Sequence, residues 1–107
     1  MRKLLAAGAV SAGLAALGAA ASPAAAAIRV GDNWFSPKRL TVAQHSTVTW
    51  RFVGERTHKV KVTSGPELFS SPRRSSGRYM HHMMRKGTYR IVCAIHRGDQ
   101  RMTLIVQ

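Results

Sequence analysis

Two hydropathy patterns divide this chain. From Leu4 to Ala21 the residues are apolar apart from Ser11, rich in Ala, Leu and Gly, and from Ile28 onward apolar and polar residues alternate. A period of two sends successive side chains to opposite faces of a half-buried strand. Ile28 and Val30 make a short face of this kind, and so do Leu40 and Val42. Val48, Trp50 and Phe52 make a longer one, followed by Val60 and Val62 and, at the C-terminus, Met102, Leu104 and Val106. Arg78 to Met84 also reads as a strand, with Tyr79, His81 and Met83 on one side and Met80, His82 and Met84 on the other. Thr88 to Val92 completes the set.

Turn chemistry separates these runs. Gly31-Asp32-Asn33, Ala43 to Ser46, Gly54-Glu55-Arg56 and Gly87 carry residues that tolerate tight backbone. Pro37 suits an edge or a turn better than a central strand. Ser64 to Gly77, with two prolines, five serines and Arg73-Arg74, reads as a surface loop anchored by Leu68 and Phe69. No helical period is sustained after residue 27, and no segment repeats. Short strands with regular turns predict an all-β sandwich or barrel.

The apolar N-terminal block changes the domain count. Arg2 and Lys3 precede it, and Ser22-Pro23 and an alanine run from Ala24 to Ala27 end it. A positive start, an apolar middle and small residues at the end make a signal peptide, expected over residues 1–27. The remaining single domain, residues 28–107, would be periplasmic or secreted, with no transmembrane segment. At roughly 80 residues it sits near the lower limit for a self-sufficient core.

Charge narrows the partners. The chain has 17 Lys and Arg against 4 Asp and Glu. Without Arg2 and Lys3 the expected domain keeps 15 basic residues and the same 4 acids, a net charge of +11. Such a surface favours an acidic partner protein or an anionic envelope surface. The basic residues are scattered and not interleaved with aromatics, which argues against specific nucleic-acid recognition. A monomer is expected.

Candidate chemistry centres on the chain's one cysteine. A lone cysteine in an exported chain cannot close an internal disulfide. Cys93-Ala94-Ile95-His96 lies between two strand-like runs, and His58 opens another strand. One thiolate with two imidazoles is the ligand set of a mononuclear copper site. A free cysteine can also serve as a small buried hydrophobe, and either histidine as an ordinary strand or loop residue.

The sequence resembles the cupredoxins, small blue copper proteins such as plastocyanin, amicyanin and pseudoazurin. The resemblance rests on Asp32-Asn33-Trp34-Phe35-Ser36-Pro37, Val48-Thr49-Trp50, His58-Lys59-Val60 and Gly87-Thr88-Tyr89-Arg90-Ile91-Val92-Cys93-Ala94-Ile95-His96. It implies a Greek-key β-sandwich of about eight strands with one copper held in loops at one end. His58, Cys93 and His96 would be its ligands, and Met102 the weak axial ligand. Family members place the axial methionine a few residues after the second histidine, where this chain has Asp99 and Gln100, so Gln100 or an unfilled axial position are the alternatives. The implied role is one-electron transfer to a redox partner, and not enzymatic catalysis. Two other roles fit the residues. The soft row Met80, His82 and Met84 suits copper binding, buffering or delivery. The charge suits a copper-free basic binding module.

Overall fold

The computed structural model describes residues 23–95 and 100–107. These residues form eight strands and no helix: β1 (Ala25–Val30), β2 (Phe35–Ser36), β3 (Arg39–Val42), β4 (Thr47–Phe52), β5 (Val60–Ser64), β6 (Arg78–His82), β7 (Gly87–Cys93) and β8 (Arg101–Val106). One sheet has the order β2-β1-β4-β6 and the other β3-β8-β7-β5. Each contains one parallel pair, β1 with β4 and β3 with β8, among antiparallel neighbours. The result is the expected all-β Greek-key sandwich.

The alternation seen in the sequence sets which side chains meet between the sheets. Val48, Trp50 and Phe52 of β4 are buried, as are Tyr89, Ile91 and Cys93 of β7 and Met102, Leu104 and Val106 of β8. Ile28, Val30, Val60 and Val62 complete the layer from β1 and β5. Each large apolar side chain buried in this way contributes about 1.5–3 kcal/mol relative to exposure.

β1 begins earlier than the alternation suggested. Ala25, Ala26 and Ala27 pair with Thr47, Val48 and Thr49 in register with the rest of the strand. Small side chains carry no visible period, so this half of β1 cannot be read from the pattern.

The segment between β5 and β6 is anchored differently from the expectation. Phe69 packs against the core beside Trp50, Tyr79 and His81, but Leu68 is 72% exposed and anchors nothing. Backbone and serine hydrogen bonds do the rest. Ser71 N donates to Val60 O at 2.8 Å, and Val60 N donates to Ser71 Oγ at 2.9 Å. The segment thereby covers the free edge of β5, the hazard of any terminal strand.

Candidate metal centre

Strand pairing brings Cys93 and His58 together. In the β5–β7 ladder Val60 lies opposite Cys93, so His58, two residues before Val60, reaches the same end of the sandwich. Ala94 N donates to Lys59 O at 2.8 Å and extends that contact past the strand ends. His58 is fixed on its other side by Arg74, whose backbone exchanges two hydrogen bonds with it, at 2.8 and 2.9 Å. Both side chains are buried, and Cys93 Sγ lies 3.6 Å from His58 Nδ1.

The turn after β1 orients the imidazole. Asp32 Oδ1 accepts hydrogen bonds from the backbone N–H of Glu55 and of Arg56, each at 2.9 Å. It also lies 3.1 Å from His58 Nε2. The Arg56 N–H and the His58 ring, with Glu55 N–H, hold the Asp32 carboxyl below its usual range. An ionised carboxylate only accepts, so His58 Nε2 carries a proton, and in the neutral ring Nδ1 is then the nitrogen with the lone pair, on the side of the thiol. Gly54 makes this possible, because a Cβ there would collide with Asp32 Oδ1.

Gln100 is the cross-strand neighbour of Cys93. The ladder that pairs Ile91 with Met102 continues to Cys93 and Gln100, and Cys93 N donates to Gln100 O at 3.1 Å. The Gln100 side chain is fully buried. Its Nε2 donates to Gly31 O at 2.6 Å and to Trp34 O at 3.0 Å. Two carbonyl acceptors fix the amide orientation, since the reverse flip would set oxygen against oxygen. Gln100 Oε1 is consequently turned away from them, and among the described residues it has no hydrogen-bond partner. A buried carbonyl oxygen without a donor is uncommon and calls for an ion, a water or another electrophile.

Met102 lies one pleat deeper. It is opposite Ile91, 4% exposed, and part of the apolar core. Its burial is accounted for by packing. His96 lies outside the described residues, and among those described no three His, Cys, Asp or Glu side chains gather as a metal cluster. The sequence marks Asp32 as a turn residue and as part of the resemblance, with no role at the metal. Its pairing with His58 spans 26 positions and leaves no local signal.

Solved structures of similar architecture include proteins of about this size and one several times longer. A purple cupredoxin from Nitrosopumilus maritimus superposes with a TM-score of 0.66 at 22% identity, covering 77% of this chain and 99% of that one. The chain has the cupredoxin fold. A Cu(I) structure of a methionine-to-glutamine variant of amicyanin matches with a TM-score of 0.69 at 23% identity, over 78% of this chain and 82% of that one. The copper-containing nitrite reductase from Thermus scotoductus matches at 25% identity and a TM-score of 0.68 over 81% of this chain. This cupredoxin-fold chain spans only 23% of the reductase. No protein-family model and no curated protein matches the sequence.

The buried residues at this end fit a copper ion. A cysteine sulfur and an imidazole nitrogen approach each other, their backbone is held by strand pairing and by Arg74, and the buried Gln100 Oε1 on the cross-strand neighbour of Cys93 has no hydrogen-bond partner among the described residues. The donor types are soft sulfur, imidazole and a weak oxygen, a combination that suits copper.

Proposed function

We propose that this protein is an exported one-copper electron carrier. His58, Cys93 and His96 would hold the metal. Gln100 Oε1 is a better candidate for the weak axial position than Met102. The observation that carries the reading is the 3.6 Å approach of Cys93 Sγ to a His58 Nδ1 whose tautomer Asp32 fixes. Bound copper would supply a one-electron Cu(I)/Cu(II) couple.

The chain's own residues have separate tasks. Cys93 gives up its thiol proton when metal binds. Asp32 holds the His58 ring and its tautomer in place before binding. The Gly31–Trp34 turn holds Gln100 through two carbonyls and His58 through Asp32, so one turn aligns both side chains. Strand pairing between β5, β7 and β8 keeps the donors from drifting apart.

The basic surface supports an acidic redox partner or an anionic envelope surface. Among the described residues no helix is long and apolar enough to cross a membrane. Export to the periplasm or exterior rests on the N-terminal residues 1–27 alone.

Copper reconstitution tests the reading. One equivalent of Cu(II) should give an intense thiolate-to-Cu(II) absorption band and a reversible redox wave. The band should vanish in Cys93→Ser. Absence of colour, or colour that survives that substitution, would overturn it.

A further inference from the structure

At the opposite end of the sandwich two exposed histidines face each other. His45 belongs to the β3–β4 turn and His82 ends β6, and their ring centroids are 6.0 Å apart with the planes inclined by 32°. Two imidazoles on one ion, each nitrogen about 2.0–2.1 Å from it, place their centroids roughly 5–6 Å apart. The rings stand at that separation without any further movement of the backbone.

The surroundings hold this pair in place. His45 has φ of 76°, the one non-glycine residue with positive φ among those described. Such backbone costs on the order of 1 kcal/mol or more and persists only where neighbours impose it. Here His45 N donates to Met83 O at 2.7 Å, and Met83 N donates to Ser46 O at 2.8 Å. His82 Nδ1 lies 3.3 Å from Thr47 Oγ1. When Nδ1–H donates to that hydroxyl, Nε2 keeps its lone pair for a metal.

Two exposed methionines flank His82 in sequence. Met84 is 48% exposed, and its carbonyl accepts a 2.8 Å hydrogen bond from Gln44 Nε2, which ties it to the His45 turn. Met80 is 52% exposed and lies on the same face of β6 as His82. Thioether donors select Cu(I) over harder divalent ions, and imidazole suits copper as well.

We propose that His45, His82 and Met84, with Met80 beside them, form a surface Cu(I) site distinct from the buried centre. β7 runs between the two ends for seven residues, so the sites are separated by roughly 20 Å at the rise of an extended strand. Each binds independently, and the surface site does not depend on the electron-carrier reading.

Anaerobic Cu(I) competition against a chromophoric chelator tests this on the full domain. Wild type should retain two equivalents. Cys93→Ser should retain one. His45→Ala/His82→Ala should also retain one, with the visible band of the Cu(II) form unchanged. Met84→Leu should weaken the second equivalent by about tenfold or more, as loss of a ligand costs at least what loss of an outer partner does. A second readout is the shift of the Met80 and Met84 methyl resonances on adding Cu(I), absent in the double histidine variant. A single wild-type equivalent that Cys93→Ser abolishes, or a second equivalent that survives His45→Ala/His82→Ala, would overturn the surface site. Absence of the coloured Cu(II) form with a retained histidine-dependent Cu(I) equivalent would overturn the carrier reading alone.

Discussion

Asp32 Oδ1 stands 3.1 Å from His58 Nε2 although 26 residues separate them, and that contact decides which imidazole nitrogen faces Cys93. A carboxylate buttress of this kind fixes both ring orientation and tautomer, and its loss typically weakens metal binding 10–100-fold. Asp32→Ala should therefore weaken copper binding by about that factor. Asp32→Asn keeps an oxygen acceptor and should fall between Ala and wild type. Gly54→Ala should act in the same direction, because its methyl would displace Asp32 Oδ1. Competition titration of the three variants checks the order. Full affinity in Asp32→Ala would remove the buttress from the account.

The axial position separates Gln100, just before β8, from Met102 within it. An amide oxygen is a harder donor than a thioether and favours Cu(II). If Gln100 Oε1 fills the position, Gln100→Leu and Gln100→Met should both raise the reduction potential and shift the visible spectrum. Met102→Leu, a volume-conserving change in the core, should cost less than about 1.5 kcal/mol and leave the potential unchanged. Voltammetry on the copper-loaded variants reads both. The reverse pattern would assign the position to Met102.

The alanine run has a structural consequence. Ala25, Ala26 and Ala27 supply three of the six paired positions between β1 and β4. Ala24 also accepts a hydrogen bond from Thr47 N at 3.0 Å. A chain starting at Ile28 should be less stable than one starting at Ala24, by several net backbone hydrogen bonds at about 0.5–1.5 kcal/mol each. Thermal unfolding of the two forms checks this. Mass spectrometry of the exported protein would show which start the cell uses. Equal stability would mean that the alanine half of β1 contributes little.

Both tyrosines should titrate late. Burial raises the Tyr79 and Tyr89 phenols, and the Glu67 carboxylate adds to the effect. Tyr89 also donates its hydroxyl proton to Arg85 O at 2.7 Å. The neutral phenol is favoured in the fold, so the folded pKa values lie above the unfolded ones. The associated stability is complete below the usual tyrosine range near pH 10 and is lost as pH rises through the raised values. Spectrophotometric titration should show both tyrosinates appearing above that range, with loss of stability following. Ordinary titration of both groups would contradict the buried positions.

Much of the fold was legible in the sequence because β-structure writes a period of two wherever one face is buried. Val48, Trp50 and Phe52 predicted β4, and Met102, Leu104 and Val106 predicted β8. The signal fails where side chains are small or exposed on both sides. Ala25 to Ala27 carry no contrast, and Leu68 offered an apolar anchor that the backbone turns outward. For the site, the sequence alone put a cysteine at the end of one strand and a histidine at the start of another, because residue type and strand context are local properties, whereas the pairing of those strands is not.

Tertiary structure decided the rest. Register between β7 and β8 set Gln100, not Met102, opposite Cys93. The return of the Gly31–Trp34 turn to that end gave His58 a carboxylate and Gln100 its two acceptors. Pairing of β4 with β6 carried His82 to His45. Each of these contacts joins residues distant in the chain. Their geometry follows from strand order and register, which a hydrophobic pattern constrains to one face but does not assign to a partner.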